Sequence, residues 1–409
     1  MGRRMIKPFR GLLPPAGLAK QVACPPYDVV SSTEARAFVR GNPQSFFHIS
    51  RPEVGLAETV DEHAPEVYAK GREQLGAFLR NGWLLPDAEA SFYLYRQRMG
   101  GHVQVGLVVA ASVEAYDKGL IKKHELTRAD KEDDRTRHIE ALQANDEPVF
   151  LTYRARSEVD ELVAEITATP PQVDFTAEDE VQHTFWVARG EHTARIQAAF
   201  KGVRCLYIAD GHHRSAAASR VRRRLAEQGR GPGEQDWFLA VAFPHDQMQI
   251  LAYNRLVRDL NGLEPQDFGQ RVRELFDVSP GQGREPTQTH HFGMYLDRQW
   301  YRLTARPGTF EETPTGVLDV SILQKNLLEP ILGIGDPRKD ERLAFVGGIR
   351  GPGELERRVN SGEYRVAFAL HPTSLDQLMA IADAGEIMPP KSTWFEPKLR
   401  SGLVLHPFE

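Results

Sequence analysis

Tyr207-Ile208-Ala209-Asp210-Gly211-His212-His213-Arg214 runs without a break into the Ala-rich and Arg-rich stretch from Ser215 to Arg224. Val203 to Ala209 is apolar and partly β-branched, which predicts a buried strand. Ser215 to Arg224 holds strong helix formers and meets no Gly or Pro before Gly229, which predicts a helix. The chain must turn sharply between them, and Gly211 turns freely and lets a ligand approach with no Cβ in the way. A helix opening directly after a strand presents unpaired N–H groups and the positive end of its dipole, the combination that binds anions. His212, His213 and Arg214 fall on the first turn, where Arg can grip phosphate oxygens in a fork. Asp210, at the strand end, is placed to hold a metal or take a proton. The stretch therefore predicts an α/β fold with a phosphate-handling site. Two plainer readings stand beside it. Asp210 can cap the helix with both His residues solvated, or His212 and His213 can bind a metal, although adjacent helical side chains diverge by about 100°.

A second constellation is Lys122-Lys123-His124-Glu125-Leu126-Thr127, continuing through Lys131, Asp134, Arg135 and His138 to Asn145 and Pro148. Arg128 to Ala144 is dense in charge and predicts an exposed helix whose simplest explanation is solvation. His124 and Glu125 follow a predicted strand and turn, where functional groups are commonly presented. A carboxylate beside a cation-rich loop can accept a proton from a hydroxyl or bind Mg2+. Asp28 in Pro25-Pro26-Tyr27-Asp28-Val29-Val30 is another candidate carboxylate. The two prolines confine the chain to a stiff path that aims Tyr27 and Asp28 reproducibly. The plainer alternative has Asp28 capping the helix that begins near Ser31. In Met388-Pro389-Pro390-Lys391-Ser392-Thr393-Trp394-Phe395-Glu396-Pro397-Lys398, the Lys391, Ser392 and Thr393 side chains suit phosphate or carboxylate. The stretch lacks the P-loop pattern. Its plainer reading is a strap whose Trp394 and Phe395 pack on the first domain.

The 409 residues, 41% hydrophobic and 26% charged, are enough for two or three cores. A net charge of −5 argues against general nucleic-acid binding. Arg220, Arg222, Arg223 and Arg224 fit a solvated face or a local anion-binding wall better than a DNA patch. Cys24 and Cys205 lack metal or disulfide spacing and are expected to be reduced thiols, with Cys205 packed in the buried strand. Arg3 and Arg4 are followed by no apolar leader, and no long apolar stretch occurs, so a cytoplasmic protein without a membrane partner is expected. Phe92 to Arg96 and Val103 to Ser112 flank Gly100-Gly101 as in a hairpin. A boundary near residue 262 predicts domains at 1–262 and 263–409, the second also mixed α/β.

DGHHR ahead of a helix resembles the signature of the ParB and sulfiredoxin-like superfamily, which includes partition proteins, sulfiredoxins and free serine kinases with a similar Asp-Gly-His-x-Arg. The whole chain resembles a bacterial and archaeal domain-of-unknown-function family, number one thousand and fifteen in its series. IKPFRGL (6–12), PPYDVV (25–30), HELT (124–127), YIADGHHR (207–214) and MPPKSTWFEPKLRSGLV (388–404) carry that match. The resemblance implies a ParB-like or serine-kinase-like mixed-sheet core in the first domain, with nucleotide phosphates on Gly211, His212, His213 and Arg214. It also implies ATP or ADP as nucleotide and a small hydroxylated acceptor such as free serine or a hydroxy acid. Asp210 is then the expected Mg2+ ligand and, with His212, part of the catalytic group. Tyr27 and His124 meet the substrate, and Lys391, Ser392 and Thr393 add phosphate contacts. The superfamily kinases use an upstream acidic residue as base, so Asp28 or Glu125 is its counterpart here. His stands where sulfiredoxins carry Cys, which argues against that chemistry. A nucleotide-binding or nucleotide-hydrolysing regulator and a metal-dependent phosphatase are the competing readings, and a homo-oligomer is compatible with all of them.

Overall fold

The computed structural model describes residues 4–409. Arg3, part of the targeting argument, lies outside them. Two compact units result: residues up to Met248 together with Pro397–Glu409, and Gln249–Glu396. The boundary therefore falls at Met248 where the sequence suggested 262, and the tail from Pro397 belongs to the first unit. Backbone hydrogen bonding is the reason. Gln249–Leu251 pairs with Trp394–Glu396 inside the second unit. Beyond it, Ser401 bridges to Cys24, Leu405 to Leu12, and His406 to Asn145. Gly262, with φ +75°, marks a turn inside the second unit.

Among the described residues the first unit is built on a nine-stranded mixed sheet. Its order is Ile121–Lys122, Leu206–Asp210, Val149–Tyr153, Trp237–Pro244, His102–Ser112, Phe92–Met99, Gln182–Ala188 and Val173–Thr176, with Ile6–Lys7 alongside Ala110 and Ala111. Leu206–Asp210 runs parallel to Ile121–Lys122 and antiparallel to Val149–Tyr153. The Gly100-Gly101 turn closes the expected hairpin, with Met99 opposite His102. Gly100 adopts φ +56°, which the two-residue hairpin turns demand and Gly supplies without strain.

The apolar strands make a continuous core. Leu94, Val109, Leu151, Ile208 and Ala240 pack with Val159, Leu162 and Ile166 of helix Ser157–Thr167 and with Ile196 and Phe200 of helix Glu191–Phe200. Helices Ala129–Leu142 and His212–Glu227 meet through Ile139, Ala217, Val221 and Leu225. Burying such side chains is the main favourable contribution to folding. Helix Ser32–Val39 starts at a capping box in which Ser31 and Glu34 satisfy each other's backbone. Ser31, and not Asp28, therefore caps it. Cys205 sits half-exposed just ahead of its strand, while Cys24 is buried, and both are free thiols.

The second unit holds a six-stranded antiparallel sheet ordered Phe276–Pro280, Gln299–Ala305, His291–Leu296, Val366–Leu370, Tyr253–Val257 and Leu343–Gly347. Helix Leu375–Ala384 begins at the Ser374 and Gln377 capping box and ends at Gly385 with φ +70°. Trp394 and Phe395, expected against the first domain, lie on the second unit's Trp394–Glu396 strand, where Trp394 meets the Tyr253 ring edge-on at 5.2 Å.

Gly106 is the tightest test of the main sheet. A Cβ there would lie 2.5 Å from Val241 Cγ1 and 2.7 Å from Phe243 Cζ. Gly106→Ala is expected to lower unfolding free energy by about 1–3 kcal/mol through overpacking. Chemical denaturation measures this, and an unchanged midpoint would contradict the packing described.

Candidate functional site

The strand Leu206–Asp210 slips register against Val149–Tyr153 between Ile208 and Asp210, a bulge that re-aims the chain just before the helix. Gly211 follows in the left-handed region, φ +94°, where a side chain is strained. A Cβ there would also lie 3.3 Å from Arg214 Nη1 and 3.4 Å from the Val149 Cα. Helix His212–Glu227 then opens with no side-chain cap. Asp210 does not cap it: Oδ1 accepts from its neighbour Gly211 N at 2.8 Å, and Oδ2 faces Lys398 Nζ at 3.3 Å. Burial raises the Asp210 pKa, but Lys398 and Arg214 outweigh it and hold the carboxyl well below its usual range.

Arg214 turns inward, away from the position expected of a phosphate fork. Its guanidinium is buried and donates to the Pro148 carbonyl at 2.7 Å and to Asp28 Oδ2 at 3.0 Å, with Nε 3.6 Å from Glu147 Oε2. Tyr27, expected to meet substrate, is buried between two cations, with Arg135 4.0 Å and Arg214 5.6 Å from its ring centre. Glu147 is held by Tyr27 N at 3.1 Å and the Ser401 hydroxyl at 3.0 Å. Burial raises the Glu147 pKa to about 8; Arg214 opposes the shift, while Asp146 and Asp28 add to it. The burial effect prevails although both Arg214 and Arg135 oppose it, since Arg214 also pairs with Asp28 and Arg135 with Asp134.

Helix Ala129–Leu142 corrects the solvation reading. Asp134, Arg135 and His138 face inward and are buried. Arg135 pairs with Asp134 at 2.8 Å, and His138 with Asp146 at 2.9 Å. Three arginines of the next helix, Arg220, Arg222 and Arg224, are likewise occupied. Arg220 reaches Glu132 and Asp133, Arg222 reaches Asp117 and Asp236, and Arg224 reaches Glu140. These acids neutralise much of the groove of about 700 Å³ lined in part by Lys123, Arg220, Arg222 and Arg223.

His124 and Glu125 approach the junction from the strand Ile121–Lys122. The His124 ring meets the His212 ring edge-on at 4.5 Å, and His212 Nδ1 lies 3.5 Å from Glu125 Oε2. Burial lowers the His124 pKa to about 4 and carries His212 well below its ordinary value, with His124 adding to the second shift. Both rings are therefore neutral at pH 7. His213 is also lowered, first by burial, and its Nε2 accepts from Arg128 N at 3.0 Å.

One part of the structure thus gathers Asp28, Tyr27, His124, Glu125, Asp210, Gly211, His212, His213 and Arg214. Lys391, Ser392 and Thr393 belong to the second unit. There Ser392 spends its hydroxyl on the Pro389 carbonyl at 2.6 Å, and the Lys391 carbonyl accepts from Arg255 at 2.9 Å. The lysine that reaches the junction is Lys398. Neither Lys398 nor Glu147 stood out in sequence, because no local pattern marks a residue recruited by chain return. The Pro after Glu147 was the available signal, since Pro148 exposes a carbonyl in a stiff segment.

Fold and site together define a mixed α/β protein with an uncapped helix start beside buried, paired charge. The chain belongs to the family described as "Protein of unknown function (DUF1015)", which matches residues 6–321. No curated protein matches it. A free serine kinase variant in complex with AMP is 12% identical, with 70% of this chain and 86% of that chain covered and a TM-score of 0.34. SbnI with C-terminal truncation from Staphylococcus aureus is 12% identical over 72% and 85% of the two chains, with a TM-score of 0.35. A conserved hypothetical protein from Pyrococcus furiosus is 14% identical over 70% and 90%, with a TM-score of 0.32. Among the described residues no helix is long and apolar enough to cross a membrane.

Glu147 sets a pH dependence of stability. Its folded pKa, about 8, lies above the ordinary 4.5, so the folded state holds the proton more tightly than the unfolded chain. The stability it contributes is complete below about pH 4.5 and is lost as pH rises to about 8. Glu147→Gln should therefore gain Tm relative to the native protein as pH rises across that window. Melting curves from pH 4 to 9 check this, and a pH-independent difference would exclude it.

Proposed function

We propose that this chain is a nucleotide-dependent phosphotransferase acting on a small hydroxylated metabolite, with free serine or a related hydroxy acid as the acceptor class. The observation that carries the reading is the uncapped start of helix His212–Glu227, opened by Gly211 and flanked by Lys398. Backbone N–H groups of His212, His213 and Arg214 offer donors to the phosphates of ATP or ADP, and the helix dipole adds positive potential. Lys398 supplies the nearby full charge. Asp28, whose side chain is 39% exposed, is the base for the acceptor hydroxyl. Arg214 acts on Asp28 by holding one of its oxygens. The acceptor oxygen bonds to the terminal phosphorus, the bridging P–O bond breaks, and the hydroxyl proton passes to Asp28. Such transfer asks mainly for positioning and charge stabilisation.

Mg2+ is the ion expected with such a nucleotide. Asp210, whose oxygens face Gly211 N and Lys398, would offer it one carboxylate, and Mg2+ commonly takes one or two carboxylates from protein beside substrate phosphates and water. Bound there, the ion would neutralise phosphate charge.

Mass spectrometry of ATP or ADP incubated with serine, homoserine, threonine or hydroxy acids is expected to find a phosphorylated acceptor. Asp28→Asn should cut kcat by about 100-fold or more while calorimetry still detects nucleotide binding. Nucleotide binding with no phosphorylated acceptor would replace this reading with a regulator, and full activity in Asp28→Asn would remove Asp28 as base.

A further inference from the structure

We propose that His124, Glu125 and His212 form a site for one divalent transition-metal ion of the Zn2+, Co2+ or Mn2+ type. Each of the three side chains offers one ligand atom, and the three atoms lie within 4.8 Å of one another. Ligands about 2.0–2.2 Å from a shared ion sit somewhat closer than that, so modest side-chain adjustment closes the set. Two neutral imidazoles and one carboxylate suit borderline transition metals, whereas Mg2+ and Ca2+ take oxygen ligands.

A second observation points the same way. His124 and His212 are 2% and 4% exposed, yet His124 Nδ1 and His212 Nε2 are buried without a hydrogen-bond partner. Buried ring nitrogens are rarely left in that state. On the other nitrogen of the ring, His212 Nδ1 lies 3.5 Å from Glu125 Oε2. Glu125 has a side chain 53% exposed, which gives the ion an entry path and leaves coordination positions open to solvent. Three protein ligands with open positions is the pattern of a catalytic rather than a structural site.

The inference goes beyond the phosphotransfer reading and uses none of its steps. Asp28 remains the acceptor base there, and Glu125 is a metal ligand here.

The test uses the full chain stripped with a chelator and dialysed, with no nucleotide present. Titration with Co2+, read by its visible absorption, and with Zn2+, read by competition against a chromophoric chelator, is expected to give one ion per chain. Loss of a supporting residue around a metal typically weakens binding 10–100-fold, so loss of a direct ligand should weaken it by about 100-fold or more in His212→Ala and His124→Ala. Circular dichroism melting establishes that each variant folds. If a His variant does not fold, Glu125→Gln decides, because its partly exposed side chain can change without opening the core. It should alter the Co2+ spectrum and weaken binding. Absence of stoichiometric Co2+ and Zn2+ binding would overturn the proposal, as would binding unchanged in Glu125→Gln and in the folded His variants. Neither outcome bears on transfer from ATP to an acceptor, so the two readings fail separately.

Discussion

The buried guanidinium of Arg214 is the constraint around which the first unit is arranged. A charge taken out of water needs close partners, and losing one of them is costly. Arg214 finds them in three places: the Pro148 carbonyl, the Asp28 carboxylate and, more loosely, Glu147. These partners come from two segments, Asp28 from one and the adjacent Glu147 and Pro148 from the other. One side chain therefore fixes the PPYDVV loop and the Asn145-to-Pro148 turn against the first turn of the helix.

That arrangement divides the junction electrically. On one side, Arg214 and Arg135 flank Tyr27, with Asp28, Asp134, Asp146 and Glu147 around them. On the other side, the His124 and His212 rings are neutral and stand beside Glu125. The Asp210 carboxylate and Lys398 lie at the strand end. Between these groups the helix starts with no side-chain cap.

Much of this was legible locally. The strand, the Gly and the helix of the YIADGHHR stretch follow from period and propensity, and the structure bears them out with Leu206–Asp210, Gly211 and His212–Glu227. The hairpin at Gly100 was readable for the same reason, since its signals lie within a few residues of one another. The charged helix Ala129–Leu142 was read as solvated because composition does not say which charges find partners. Asp134, Arg135 and His138 are buried because Tyr27, Asp146 and Tyr68 come to meet them.

By itself the sequence determined the strand-to-helix junction, its Gly and the polar groups at it, because those depend on neighbours in the chain. Only the tertiary structure decided what each group faces. It turned Arg214 inward and brought Asp28 to it across the fold. It set His124 and Glu125 beside His212, and it returned the tail so that Lys398, not Lys391, reaches Asp210. The reason is physical: buried charges and unsatisfied polar groups are settled by whichever partners folding brings within a few ångströms, and those lie far away in sequence.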